Sequence, residues 1–305
     1  MCRLSRTAAH SAKRLLLLVN PASRSGQAVS DALRAGIARL HEHGWQVQLE
    51  ESQSPEHAVQ LIGDSDADLV ALGGGDGTIS ACAGALLKRS RPFAILPMGT
   101  ANDLARSLGI ESLDQAFSAI LHGRTSPIDL GRLNNHYFFN VANLGLGVRV
   151  TEALTPEVKR RWGVLSYLKA VAEALTRRHQ FKARIDVDGD VYRVRSMQLA
   201  VGNGRFYGGG NVVDEEATIS DSTLHLYSLK PQSLLELVTL APFLRLGRHR
   251  VSSRVFTASG SAINIETVPE GLEVHADGEP VAHTPVTIEV LGGVLEAVVA
   301  QEFSE

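Results

Sequence analysis

Through residues 13–128, short apolar runs alternate with longer segments whose apolar positions recur at helical spacing. Leu15–Asn20 reads as a buried strand. Val29, Leu33, Ile37 and Leu40 mark one face of a helix, and Gly44 is a good terminator. Trp45–Glu50 reads as a second strand, and Ser54-Pro55 opens a helix as N-cap and first-turn proline. Leu69–Leu72 is a third strand, followed by a glycine-rich turn and a helix-like segment, Ile79–Lys88. Phe93–Pro97 is a fourth strand, and Ser112 with Gln115 forms a capping box before Phe117, Ile120 and Leu121. Such alternation predicts a parallel sheet with helices on both faces and a ligand site beyond the carboxyl ends of the strands.

After about Thr125 the texture changes. Asn134-Asn135, Asp188-Gly189 and Asp277-Gly278 read as turns between β-rich segments, among them Tyr137–Asn143, Lys182–Val187, Val191–Val201, Thr223–Leu229 and Val286–Val290. Leu165–Thr176 and Leu234–Leu246 read as helical insertions. The expected fold class is therefore α/β plus β. A Rossmann-like parallel-sheet domain over 13–128 is followed by an antiparallel sandwich or barrel-like domain over 129–305. The last segment is a candidate to return to the first domain, and a cleft between the two suits a two-substrate reaction.

Composition narrows the function classes. Of 305 residues, 44% are apolar and 21% charged, as in a soluble globular protein, and the formal net charge of -3 gives no electrostatic case for nucleic acid. The two cysteines, Cys2 and Cys82, form no framework and suit a reducing cytoplasm, with Cys82 a small buried residue. Met1–Arg14 is basic, but the apolar run after it is too short for a signal peptide, and no stretch is long enough to cross a bilayer. None of the 11 histidines forms a zinc pattern.

Gly73-Gly74-Gly75-Asp76-Gly77-Thr78 carries the first chemical signal. Glycines in a strand-to-helix turn let a ligand approach the backbone, and the amides there with the helix dipole bind phosphate. Asp76 would repel a phosphate unless a cation or a transferable proton lay between them, which points to phosphoryl chemistry with a metal. No Gly-Lys-Ser/Thr follows, so this is not a Walker loop, and Asp76 breaks the dinucleotide fingerprint. The bland alternative is that these glycines serve tight packing alone.

Further segments fall in order: Asn20-Pro21, then Pro97-Met98-Gly99-Thr100-Ala101-Asn102-Asp103, Asn203-Gly204-Arg205-Phe206-Tyr207-Gly208-Gly209-Gly210 and Asp277-Gly278-Glu279-Pro280. Together with the glycine loop they resemble the diacylglycerol kinase catalytic-domain family, most closely its bacterial YegS-like lipid kinases. The resemblance runs from about Lys13 to the end of the chain. It implies an NAD-kinase-like first domain with a β-sandwich second domain, and an ATP- and Mg²⁺-dependent kinase that phosphorylates a lipid hydroxyl. Gly73, Gly74, Gly75, Asp76, Gly77, Thr78, Ile79 and Ser80 would surround the phosphates, with Asn20, Ser52, Gly99, Thr100 and Asn102 completing the nucleotide site. Glu279 matches the family's catalytic base, and Asp76 would act with it by helping to hold Mg²⁺. Asp221 matches a family magnesium ligand, accompanied by backbone oxygens near Thr218 and Thr223. Taken alone, Asp277-Gly278 is an ordinary hairpin signal.

Two positions depart from the family pattern. Asp221 is followed by Ser222 where a glycine is usual, and Glu215-Glu216 fall in a segment that is more apolar in many members of the family. The implied partners are ATP and a lipid (diacylglycerol, a phosphatidylglycerol-type lipid or a sphingoid base), with peripheral membrane contact and a homodimer as an option. Basic stretches Lys159-Arg160-Arg161-Trp162, Arg177-Arg178-His179 and Leu244–Arg250 read either as membrane-facing or as solvated helix faces. The rival readings are an NAD or other small-molecule kinase sharing the glycine loop, and a non-catalytic lipid- or nucleotide-binding regulator.

Overall fold

The computed structural model describes residues 13–21, 23, 27–145, 180–207, 210–213, 217–231 and 255–303. Both expected helical insertions, all three basic stretches and Glu215-Glu216 lie outside the described residues.

The N-terminal half alternates as its pattern predicts: β1 (Arg14–Val19), α1 (Gln27–Glu42), β2 (Gln46–Glu51), α2 (Pro55–Asp64) and β3 (Leu69–Gly74). Then come α3 (Asp76–Ala81), α4 (Ala83–Arg89), β4 (Phe93–Pro97), α5 (Asp103–Ser107) and α6 (Leu113–His122). Strands β2, β1, β3 and β4 lie side by side and parallel. Every residue of β3 is buried, as expected of a strand covered on both faces. Ser54 caps α2 by accepting the His57 amide, and Ser112 caps α6 by accepting that of Gln115. The return bond of the α6 cap goes from the Glu111 amide to Gln115 Oε1, one residue before the expected donor. The helix expected at Ile79–Lys88 breaks at Cys82, which is fully buried, and burial pushes its thiol up to about 12. Such a thiol is an inert packing group.

The C-terminal half is β throughout its described residues. It begins with β5 (Arg124–Leu133), β6 (His136–Phe138), β7 (Val141–Gly145), β8 (Phe181–Val187), β9 (Asp190–Ser196) and β10 (Gln198–Gly202). A small ribbon, β11 (Phe206–Tyr207) and β12 (Asn211–Val212), leads to β13 (Leu224–Leu229), β14 (Val255–Gly260) and β15 (Ala262–Val268). The chain closes with β16 (Glu273–Ala276), β17 (Glu279–His283) and β18 (Val286–Val299). One antiparallel sheet runs β14-β13-β10-β7-β16-β17. It packs on β15 and β8 around a core that includes Phe138, Phe181, Ile185, Leu199, Leu226, Ile263 and Ile288. This is the expected sandwich.

Two segments expected to be single strands are divided. Met197 separates β9 from β10, which belong to different sheets. Phe139 and Asn140 separate β6 from β7 because their amides turn onto a carboxylate instead of a neighbouring strand. Strand β18 is far longer than Val286–Val290. It pairs with β15, with β5 and, in parallel, with β4, so one continuous sheet passes from the α/β half into the sandwich.

Candidate active site

Four strand ends meet at one edge of the parallel sheet. Strand β3 runs further than expected, so Gly73 and Gly74 are strand residues paired with β1 and β4. Only Gly75 makes the turn, as N-cap of α3. A Cβ at Gly73 would lie 2.8 Å from Met98 Sδ, and one at Gly74 would lie 2.9 Å from Thr78 Cβ. Tight packing thus requires these two glycines.

The second loop, Met98–Asn102, lies directly against the first. A Cβ on Gly99 would stand 2.4 Å from Gly75 Cα, so the close approach of the two loops excludes any side chain there. Asn102 adopts a left-handed conformation (φ 52°) and staples the loop, its Oδ1 accepting the Gly99 amide at 2.8 Å. The Met98 amide donates to Gly74 O, and Asp76 Oδ1 accepts the Leu104 amide at 3.1 Å. Asn20 Nδ2 donates to Thr78 Oγ1 at 2.9 Å. The Ser52 amide donates to Val19 O, and its side chain is buried. Thr100 is exposed at the surface of the second loop. Asn20, Ser52, Gly75, Asp76, Thr78, Gly99 and Asn102 are therefore one connected assembly.

The other wall comes from the hairpin between β16 and β17. Its turn residues Asp277 and Gly278 have φ of 47° and 93°, as a type I′ turn requires. Asp277 Oδ2 accepts the Phe139 amide at 2.7 Å and the Ser80 hydroxyl at 2.9 Å. Its Oδ1 accepts the amides of Asn140 at 2.9 Å and Val141 at 3.0 Å. Burial pushes this carboxyl above the ordinary range, and the donors pull against that shift. Ser80 belongs to α3, so the Asp277 bond fastens the sandwich hairpin to the helix that follows the glycine turn. Glu279, two residues on, is exposed. A two-residue span reaches at most about 7 Å, which keeps Glu279 beside that junction.

Residues 14–133 match the profile of the diacylglycerol kinase catalytic domain, and residues 140–299 match that of the YegS C-terminal NAD kinase beta sandwich-like domain. A Pseudomonas aeruginosa protein named "Probable lipid kinase YegS-like" is 33% identical over 276 residues, which is 88% of this chain and 90% of that protein. The chain belongs to the YegS-like lipid kinases. A protein of the same name from Klebsiella pneumoniae is 32% identical over 86% of the kinase and 89% of its own length. The crystal structure of a diacylglycerol kinase from Bacillus anthracis superposes on the kinase with a TM-score of 0.74 at 26% identity, covering 94% of this chain and 97% of that one.

The kinase also brings Asp221, Thr218 and Thr223 together. Asp221 Oδ2 accepts the Thr218 amide at 2.9 Å and faces His225 Nε2 at 3.0 Å, while Oδ1 accepts the Thr223 amide at 2.8 Å. Ser222 adopts a left-handed backbone (φ 55°), a conformation that glycine takes more readily, without being glycine. Among the described residues no group of three or more His, Cys, Asp or Glu is placed to hold a metal. The donor chemistry nevertheless fits a hydrated cation at two single carboxylates. Asp76 Oδ2 has no partner among the described residues, and Asp221 Oδ1 retains a lone pair.

Asp129 of the kinase escaped the motif reading, and Asp103 and Asn203 entered it only as members of their segments. Asp129 is buried in β5, accepting the Ser222 amide at 2.6 Å and the Gly293 amide at 2.7 Å, and burial raises its carboxyl. Asp103 is buried too, accepting the Gly210 amide at 2.8 Å and pairing with Arg106. Asn203 Nδ2 bridges the carbonyls of Asp129 and Phe139. The buried oxygens Asn140 Oδ1 and Asn203 Oδ1 have no hydrogen-bond partner among the described residues. A lone aspartate inside the apolar run Ile128–Leu130 was the available signal for Asp129.

Proposed function

We propose that this lipid kinase transfers the γ-phosphoryl group of ATP to the hydroxyl of a membrane lipid. The donor phosphates lie along Gly75–Ser80, with Asn20, Ser52, Gly99, Thr100 and Asn102 shaping the nucleotide side. The acceptor hydroxyl approaches from the hairpin side. Its oxygen attacks the γ-phosphorus, the bond to the ADP oxygen breaks, and the hydroxyl proton passes to the Glu279 carboxylate. Mg²⁺ would be held through Asp76 and would neutralise phosphate charge; a second ion at Asp221, with Thr218 and Thr223, would brace the sandwich. Diacylglycerol, a phosphatidylglycerol-type lipid and a sphingoid base all satisfy this chemistry. The setting is the cytoplasm, with peripheral contact at the membrane. Among the described residues no helix is long and apolar enough to span it.

The observation that carries this reading is the Ser80–Asp277 bond, which ties the glycine turn to the hairpin bearing Glu279. The test is incubation of the purified protein with labelled ATP, Mg²⁺ and a total lipid extract, followed by chromatography. A labelled lipid supports the reading, and no labelled lipid across varied conditions ends it. Glu279→Gln is expected to lower transfer by about 10²–10⁴-fold with ATP binding retained. Undiminished transfer in that variant places the base elsewhere.

A further inference from the structure

Strands β15, β8 and β9 form one end of the large sheet, and their alternation sorts two faces. Ala183, Ile185 and Val187 turn into the sandwich core. The opposite face carries Lys182, Arg184 and Asp186 on β8, and the register sets Lys182 against Arg195 and Arg184 against Arg193. Like charges directly opposite each other in an antiparallel pair oppose folding. Arg184 is compensated, lying 3.4 Å from Glu266 and 3.7 Å from Asp186. Lys182, Arg193 and Arg195 have no carboxylate partner among the described residues.

Protection of a sheet edge explains charges on β9, which ends the sheet. It does not explain Lys182 and Arg184, because β8 is paired on both sides. The four cations line an open groove of about 670 Å³ with only Glu266 and Glu270 as carboxylates. Beside Lys182 on β15 stands Val268, the most exposed large hydrophobic among the described residues at 65%, and Val191 on β9 is 42% exposed. The molecule as a whole is anionic, with a formal net charge of -3, so this concentration of cations is local.

We propose that the outward face of β8, β9 and β15 docks the kinase onto an anionic phospholipid bilayer. The cations meet headgroup phosphates and Val268 and Val191 enter the interface. This rests on the reading that the acceptor is a bilayer lipid. Nucleic acid would engage the charges equally but gives no role to the exposed valines.

The full chain is sedimented with vesicles of phosphatidylcholine alone and of phosphatidylcholine with about 30% phosphatidylglycerol. Binding is expected only to the anionic vesicles, falling as salt rises. Arg193→Glu combined with Arg195→Glu is expected to weaken partitioning by about tenfold or more, whereas Arg34→Glu, on the exposed side of α1, leaves it unchanged. If the charge-reversed pair fails to fold, Lys182→Gln with Arg193→Gln is expected to show a smaller loss in the same direction. Equal binding to neutral vesicles, undiminished binding of these variants, or binding to an oligonucleotide but not to vesicles overturns the proposal. Turnover of lipid dispersed in uncharged detergent micelles is read separately. Its absence in the unaltered protein would end the phosphoryl-transfer reading and leave the vesicle result standing.

Discussion

The turns at Asp188-Gly189 and Asp277-Gly278 are the same dipeptide in nearly the same backbone, with φ of 50° and 98° in one and 47° and 93° in the other. Both aspartates use their carboxylates to gather amides from a neighbouring segment. Asp188 takes the amides of Ser261 and Ala262 and the Ser261 hydroxyl, all at the surface of the sandwich. Asp277 takes three amides at the β6–β7 break and adds Ser80 from the α/β half. Their electrostatics diverge accordingly. The amide bonds hold the exposed Asp188 carboxyl below its ordinary range, whereas burial drives Asp277 above it. Local sequence chooses the turn; what the carboxylate reaches across chain distance decides whether it staples a surface or assembles a site.

The strongest challenge to this contrast is Asp277→Asn. An amide cannot accept all four donors, so a loss of about 3 kcal/mol in unfolding free energy is expected, read by urea titration. A loss no greater than that of Asp188→Asn would erase the distinction. Next, Gly189→Ala and Gly278→Ala test the claim that the backbones are equivalent. Each is expected to lose about 1–2 kcal/mol, and a clear inequality between them would show that the turns differ in strain as well as in contacts. Ser80→Ala isolates the link between halves, with a loss of about 1 kcal/mol in stability and a larger proportional fall in lipid phosphorylation. Full activity there would mean the hairpin is held by other contacts.

Asp188→Asn should have the smallest effect, about 1 kcal/mol or less at neutral pH. Its sign with pH is opposite to that of Asp277. A depressed folded-state pKa stabilises above the ordinary value of 3.8 and loses that contribution as pH falls below it. The stability difference between the unaltered protein and Asp188→Asn should therefore shrink on acidification. For Asp277 the folded state holds the proton more tightly, so its own contribution declines as pH rises above 3.8. Parallel pH profiles for the two asparagine variants would contradict the opposed environments.

The local parts of this fold were readable from residues alone. Ser54-Pro55 and Ser112 announced their helices because capping is settled within one turn of chain. The buried parallel strands announced themselves through unbroken apolar runs. What escaped depends on partners distant in sequence. The break at Phe139-Asn140 is dictated by Asp277, and the length of β18 by β4 and β5. Asp129 looked like a single polar residue in a strand because its donors, Ser222 and Gly293, lie far along the chain. The glycine turn was legible as a position, but its reduction to Gly75 follows from pairing with Val19, Leu96 and Pro97.

Strand β18 also sets an order of events. When a ribosome has made the four parallel strands, the seam between β4 and β5 is still open, because the strand that touches both follows them by more than 150 residues. The early half must wait with an incomplete edge while the sandwich emerges, and both are closed by a single insertion. Closing the β4 edge and joining the sandwich are then the same event, so a nascent chain has its glycine turn well before the strand that links the two halves.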